Sequence, residues 1–277
     1  KHGVFLFKPD GTYASQSWEG PFLVDPSTPE THAYLKDLFA KLAGWGYDYY
    51  KIDGQPVVVG EYAKTASLMK NPGDTVALYR KTLDTIRAAI GPNRYLLGCW
   101  GTPLEGVGIM NGSRTGGDVG LGWSGGFMVA LRATLRWYFT HNIAWYADPD
   151  TMLLRQPLTL DQARAWATLQ GLTGQALMSS DRLMDLSRDR VEILRRVYPA
   201  VDIRPLDLFP AARNKRIWDL KVSHLGRNYD IVGVFNYGES KADQVILKWS
   251  DLGIPDDKPV QVFDFWNGEH IGAWEAG

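Results

Sequence analysis

Predicted β-strands and α-helices alternate through most of the chain at a spacing of about thirty residues. Short runs of β-branched and aromatic residues alternate with stretches whose apolar side chains recur at helical spacing. One such helix begins after Thr28 with Pro29-Glu30 and ends at Gly44, and others are predicted at 76–90, 127–139, 159–172 and 189–198. Alternation of this kind builds βαβ units, so it predicts an α/β fold with a parallel sheet.

The predicted strands end in polar or aromatic residues, which favours a barrel over a doubly wound sheet. We predict six strands, at 4–7, 47–53, 95–101, 108–114, 143–147 and 176–178. Five residues lie at or just beyond strand ends: Asp53, Trp100, Asp118, Asp150 and Asp181. A doubly wound sheet concentrates such residues at one switch point, whereas a barrel distributes them around its carboxyl end. Because a closed (β/α)8 TIM-type barrel has eight strands, either two strands escape recognition or the chain begins part way round.

The pattern changes near residue 204, which predicts a second domain. Short alternating runs at 216–225, 230–237, 244–249 and 260–266 are separated by turn signals, with no helical pattern between them. Such runs predict a small antiparallel β-sandwich. The predicted domains are therefore a catalytic (β/α) barrel portion at 1–203 and an antiparallel β domain at 204–277.

Composition excludes several classes of partner. Thirty basic and 31 acidic residues give a net charge of −1, which does not suit a nucleic acid or an anionic membrane. There is no apolar run of about 18 residues to cross a bilayer. The five histidines match no metal-binding spacing and the glycine pairs match no phosphate loop, so no cofactor or metal is expected. Eleven Trp and 13 Tyr suit stacking on sugar rings, although they also suit a core.

The strand at 47–53 carries the first candidate site. Lys51 and Asp53 lie two residues apart at its carboxyl end, and alternate residues of a strand point to the same face. A carboxylate beside a lysine at the active end of a barrel is a candidate nucleophile or base. The alternative is a structural ion pair at the end of a strand.

A second carboxylate suggests a reaction class. Asp118 ends another predicted strand segment, and Arg114 precedes it by four residues, within reach of a substrate hydroxyl. Glycosidases place two carboxyl groups across a sugar, one to attack or remain ionised and one to protonate the leaving oxygen. The alternative is that Asp53 and Asp118 cap loops and helices, as loop aspartates commonly do.

Four motifs in order resemble one enzyme family. Tyr-Tyr-Lys-Ile-Asp-Gly (49–54), Ser-Arg-Thr-Gly-Gly-Asp (113–118), Ala-Asp-Pro-Asp-Thr-Met-Leu (147–153) and Ala-Leu-Met-Ser-Ser-Asp (176–181) follow one another. Their succession resembles that of the melibiase-type α-galactosidases, glycoside hydrolase families 27 and 36, over about residues 20–190. The resemblance implies a retaining α-glycoside hydrolase that acts by double displacement on terminal α-linked sugars of an oligosaccharide or glycoconjugate.

The resemblance also implies a role for each matching residue. Asp53 matches the nucleophile and Asp118 the general acid/base. The matching substrate-binding residues are Lys51, Cys99, Trp100, Arg114 and Asp150. Family members have two earlier strands that read the 4- and 6-hydroxyls, so the resemblance implies strands three to eight here, with a second polypeptide segment completing the barrel.

Two local departures leave the choice of sugar open. Trp100-Gly101-Thr102-Pro103 replaces the carboxylate or small residues that often shape the pocket for the 2-substituent, and Thr151 is inserted before Met152. Other activities also remain open. A transglycosylase would use the same residues, a Schiff-base lyase would use Lys51 as its nucleophile, and a non-catalytic carbohydrate-binding barrel subunit would bind without turnover.

Overall fold

The computed structural model describes residues 3–15, 17, 20–201, 216–238, 245–255 and 259–274. They form two compact units, residues 1–151 and residues 152–277. The predicted domain boundary at 203/204 lies outside the described residues and stays a prediction. Both units together give an α/β fold with a parallel sheet, alternating helices and small antiparallel sheets.

The first unit carries the parallel sheet. Its elements are α1 (Pro29–Gly44), β1 (Tyr49–Ile52), α2 (Gln55–Thr65), α3 (Thr75–Ile90), β2 (Tyr95–Gly98), β3 (Gly112–Arg114), a π-helix (Trp123–Phe127), α4 (Met128–Trp137) and β4 (Tyr146–Asp148). The strands lie in the order β1-β2-β3-β4, and every neighbouring pair is parallel. The predicted βαβ alternation is confirmed in this unit.

Helices α1 and α3 cover one face of β1 and β2. Phe39 of α1 and Ile86 and Ile90 of α3 pack with Tyr50 and Leu96 in one buried cluster. Tyr50 is buried between exposed Tyr49 and exposed Lys51, so alternate residues of β1 point to opposite faces. The face that carries Lys51 is therefore the one turned away from α1 and α3.

Helix α2 was not predicted. It follows Gly54, which adopts a left-handed backbone with φ 64°, and Pro56 lies in its first turn. Its sequence Gln-Pro-Val-Val-Val-Gly combines a β-branched run with glycine, which gives a weak local helix signal. Buried Tyr62 packs against Tyr79 and Leu83 of α3, so tertiary packing stabilises α2 although its local helix propensity is weak.

The predicted first strand, at 4–7, does not join the parallel sheet. Phe5 forms an isolated antiparallel bridge with Val24 and Phe7 forms one with Tyr13. The Lys8 carbonyl accepts a hydrogen bond from the Gly11 N–H at 2.9 Å, and the Lys8 N–H donates to the Thr12 carbonyl at 2.7 Å. That turn folds the segment back on itself, which is why it forms bridges rather than a sheet strand.

The second unit contains two α-helices and two hairpins among its described residues. These are α5 (Leu160–Thr173), α6 (Arg188–Val197), β5 (Ile217–His224), β6 (Arg227–Val234), β7 (Val260–Asp264) and β8 (Glu269–Trp274). The predicted cap of α5 is confirmed, because Thr159 and Gln162 form a capping box. The predicted strand at 176–178 is replaced by a single parallel bridge between Met152 and Ser179.

The hairpins of the second unit are antiparallel, as predicted. Strand β5 pairs with β6, and β7 pairs with β8, in two separate two-stranded sheets. Residues 245–248, predicted as part of a strand, form none. The sandwich arrangement stays a prediction. None of the helices in the described residues has the length and apolar character needed to cross a membrane.

Candidate active site

The candidate residues meet at the carboxyl edge of the parallel sheet. Arg114 and Asp148, the last residues of β3 and β4, are register partners. Cys99 directly follows β2, and its N–H donates to the Ile52 carbonyl at 2.8 Å, so the β1–β2 ladder continues to Asp53 opposite Cys99. Because register partners share a face, Asp53, Cys99, Arg114 and Asp148 form one line across the sheet, here named the site row.

Arg114 is the centre of the charged contacts in the site row. Its side chain is only 2% exposed, and one of its terminal nitrogens contacts both Asp150 at 2.8 Å and Asp118 at 3.0 Å. Burial by itself lowers the pKa of the Arg114 guanidinium, but Asp150 and the other nearby anions outweigh it and raise that pKa. The structure thus brings together three predicted site residues, Arg114, Asp118 and Asp150.

Asp118 and Asp150 differ in their surroundings. The Asp118 side chain is 80% exposed, so it faces solvent while it contacts Arg114. The Asp150 side chain is 15% exposed and also accepts a hydrogen bond from the Val119 N–H at 2.8 Å. Asp150 therefore links Arg114 to the backbone next to Asp118.

Cys99 lies between Arg114 and Asp53. Its thiol is buried and accepts a hydrogen bond from Nη1 of Arg114 at 3.5 Å. Burial raises the pKa of the Cys99 thiol to about 11; Arg114 opposes that rise, whereas a side-chain hydrogen bond with Asp53 adds to it. A thiol with this pKa keeps its proton at neutral pH.

Asp53 and Lys51 are exposed on the same face of the sheet edge. Oδ1 of Asp53 accepts the Gly54 N–H at 2.8 Å, and the Asp53 carbonyl accepts from the side-chain amide of Gln55 at 2.8 Å. Gln55 is itself held by the Tyr79 hydroxyl, which donates to its side-chain oxygen at 2.9 Å. The start of α2 thus orients the Asp53 backbone while its carboxylate remains accessible.

Trp100 extends from the site row into solvent. It adopts a left-handed backbone with φ 78°, which is unusual for a residue other than glycine, and its side chain is 41% exposed. The following Gly101 also has a positive φ of 117°. The turn after β2 therefore places an accessible indole next to buried Cys99.

Asp148 is the site residue that sequence reasoning missed. It is 4% exposed, and burial raises the pKa of its carboxyl, although the Asp150 N–H, Arg114 and Lys51 act against the rise. Its position two residues before Asp150, at the end of a predicted strand, was the available signal. The roles assigned to the predicted residues from the resemblance stay predictions.

No group of three or more His, Cys, Asp or Glu side chains suited to a metal ion occurs in the described part of the chain.

No protein-family model matches the chain. Among solved structures, the chain is similar to the α-galactosidase TtGalA of Thermus thermophilus, solved in complex with stachyose: identity is 28%, the TM-score is 0.54, and the match covers 72% of this chain and 45% of that one. It is also similar to a GH27 β-L-arabinopyranosidase of Geobacillus stearothermophilus, with 20% identity, a TM-score of 0.70, and coverage of 99% and 63%. A third similar structure is α-galactosidase I of Mortierella vinacea: identity is 16%, the TM-score is 0.62, and the match covers 88% of this chain and 67% of that one.

These comparisons establish a fold-level similarity to α-galactosidases and related glycoside hydrolases at low identity. The chain spans 45% and 63% of the lengths of the first two structures.

Proposed function

We propose that the protein is a retaining α-glycoside hydrolase, α-galactosidase-like, acting on terminal α-linked sugars. The observation that carries the proposal is the site row, in which Asp53 and Arg114 share one face and Arg114 contacts Asp118. Two carboxylates around a basic centre at the carboxyl edge of a parallel sheet suit glycoside chemistry. The similarity to an α-galactosidase solved with stachyose supports the same class of substrate.

In the first proposed step, a carboxylate oxygen of Asp53 attacks the anomeric carbon of the bound sugar. The bond from that carbon to the glycosidic oxygen breaks, and Asp118 donates a proton to the departing oxygen. The product is a covalent glycosyl ester of Asp53 together with the free alcohol. The accessible Asp53 carboxylate, held through the start of α2, suits the nucleophile of this step.

In the second proposed step, water replaces Asp53 at the anomeric carbon. Asp118, now ionised, takes a proton from that water as its oxygen bonds to the carbon, and the ester bond to Asp53 breaks. The sugar leaves with its original anomeric configuration, because two inversions restore it. Exposure of Asp118 to solvent gives water access to this group.

The remaining residues are proposed to hold the sugar. Exposed Lys51 offers its ammonium to hydroxyl groups. Asp150 holds the nearly buried Arg114 guanidinium against Asp118. Exposed Trp100 offers an apolar face for stacking on a sugar ring. Cys99 is proposed to restrain Asp53 through its thiol.

The test is turnover of aryl α-glycosides by wild type and the Asp53→Asn variant. The panel of aryl α-glycosides includes an aryl α-galactoside, and the protein is isolated with any polypeptide that co-purifies. We expect wild type to cleave at least one substrate with retention, seen by proton NMR of the first product. A 2-deoxy-2-fluoro analogue of that substrate should label Asp53, identified by peptide mass.

Asp48 supplies a matched control. It is an exposed carboxylate five residues before Asp53 and pairs with Arg94 at 3.1 Å, away from the site row. Asp53→Asn should lower kcat by about a thousandfold or more, whereas Asp48→Asn should match wild type. Full activity of Asp53→Asn, labelling of another carboxylate, or sugar binding without turnover by wild type would contradict the proposal.

We also propose that the parallel sheet belongs to a (β/α)8 barrel completed by a second polypeptide segment. Within the described residues β1 pairs with β2 alone, so its other edge is open to a further strand. Tyr49 of β1 stacks on Tyr95 with ring centroids 5.1 Å apart, yet remains 54% exposed. An aromatic side chain of this size next to an open strand edge suits a covering strand.

Native mass spectrometry of the protein from its source tests this partner. We expect the native mass to exceed that of these 277 residues by the mass of the additional polypeptide segment. Full glycosidase activity at the mass of the single 31.0 kDa chain would contradict the partner.

A further inference from the structure

One buried carboxylate in the site row has no part in the proposed reaction. Asp148 is the register partner of Arg114, and its carbonyl accepts the Thr115 N–H at 2.9 Å. Its backbone is therefore part of the sheet ladder. Its side chain is buried with it, since the residue is 4% exposed. Burial of a carboxylate costs free energy unless the group is paired or hydrogen-bonded, so the contacts of Asp148 show what its burial serves.

The side chain of Asp148 braces a strained turn. Its Oδ1 accepts the N–H of Asp150 at 2.8 Å, across Pro149. Proline has no N–H to donate, so Asp150 supplies the first backbone donor after the strand. Asp150 has a left-handed backbone with φ 72°, a conformation that costs a residue other than glycine about 1 kcal/mol or more. The hydrogen bond from Asp150 to Asp148 opposes that cost.

Asp150, the residue held by this hydrogen bond, makes two contacts with the neighbouring strand end and loop. The Asp150 carboxylate accepts from the Val119 N–H and pairs with Arg114, both at 2.8 Å. Val119 directly follows Asp118. A chain of contacts therefore runs from Asp148 through Asp150 to the segment that carries the proposed acid/base.

We propose that Asp148 is a positioning residue of this site: its hydrogen bond to Asp150 sets the turn that aligns Arg114 and the Asp118–Val119 backbone. Its effect on turnover rests on the proposed function, whereas its effect on the turn does not. The hydrogen bond, rather than the negative charge, carries the role, because Oδ1 is the atom that contacts the turn. Asparagine keeps that acceptor at the same volume, and alanine removes it.

Amide hydrogen exchange followed by NMR tests the turn without reference to activity. Exchange of the Val119 and Asp150 amides is measured in wild type, Asp148→Asn and Asp148→Ala. Asp10→Ala is the matched control, because Oδ1 of Asp10 also accepts an i+2 N–H, that of Thr12 at 2.9 Å, in an exposed turn. The amides of α3 report whether each variant keeps its fold.

In Asp148→Ala the Val119 and Asp150 amides should exchange about tenfold faster or more, while α3 is unchanged. In Asp148→Asn they should stay within about threefold of wild type. On the substrate that wild type cleaves, Asp148→Ala should lower kcat/KM by about 10- to 100-fold. The Asp148→Asn variant should keep most of the wild-type kcat/KM. Asp10→Ala should change neither quantity.

Unchanged Val119 exchange in Asp148→Ala, or equal damage in both Asp148 variants, would overturn the positioning role. If alanine loosens α3 as well, Asp148→Asn decides alone, since it must keep Val119 protected. An inactive wild type that shows the expected exchange pattern would refute the proposed function and leave the turn assignment standing.

Discussion

The guanidinium of Arg114 and the carboxylate of Asp150 form a buried ion pair at 2.8 Å that joins the ends of β3 and β4. Asp150 approaches from a left-handed turn just beyond β4, and Arg114 is the last residue of β3. Because the Arg114 side chain is almost fully buried, this pair is less screened by solvent than an ion pair at the surface.

Removing Asp150 should therefore destabilise the protein. Asp150→Ala removes the nearer of the two carboxylates that pair with the buried guanidinium and leaves the exposed Asp118. We expect a loss of about 3 kcal/mol in the free energy of unfolding. Urea denaturation measures it. The control is Asp48→Ala, which breaks the more exposed pair with Arg94 and should cost about 1 kcal/mol or less. A small loss in Asp150→Ala, equal to the control, would show that Arg114 is adequately paired without Asp150.

The thiol of Cys99 should react slowly in the native protein. Burial raises its pKa to about 11, so little thiolate is present at pH 8, and the buried side chain blocks the reagent. Because the chain has one cysteine, addition of iodoacetamide can be followed by intact mass. The alkylation rate should still be rising at pH 10, and urea should abolish the protection. Rapid native alkylation at pH 8 would contradict both the burial and the raised pKa.

The buried carboxyl of Asp148 should make stability depend on pH. Burial raises its pKa above the ordinary value of 3.8, so the folded state binds a proton more readily than the unfolded state. This contribution favours folding at low pH and is lost as the pH rises from 3.8 through the raised pKa. The difference in unfolding free energy, Asp148→Asn minus wild type, should therefore increase with pH across that window. Urea titrations at a series of pH values measure it, and a flat or falling difference would refute the expectation.

Gly112 of β3 should not tolerate a side chain. A Cβ there would lie 2.1 Å from the Tyr95 hydroxyl and 2.9 Å from Leu97 Cδ1. Gly112→Ala should cost about 1–3 kcal/mol, because the neighbouring side chains must move. Tyr95→Phe in the same chain removes the closest atom and should recover part of the loss, measured by a double-mutant cycle in urea. Strict additivity of the two substitutions would show that the hydroxyl is not the obstacle.

The sequence by itself determined the elements whose signals are local. The Thr159–Gln162 capping box lies within one helical turn, and the alternation of β1 and the apolar stripe of α3 each lie within a single element. The sequence also identified Asp53, Arg114, Asp118 and Asp150 as candidate site residues, because they lie at or near the ends of predicted strands. For these features, the interactions that form the structure are between residues near one another in the chain.

Only the tertiary structure decided which of these residues meet. The contact of Arg114 with Cys99 and Asp150 depends on the register of separate strands, which no local pattern encodes. The same holds for the burial of Asp148 and for α2, a helix formed where Tyr62 packs against α3 despite a β-branched start. Register and burial are set by packing across the sheet, so the site row could be read only once the strands were placed side by side.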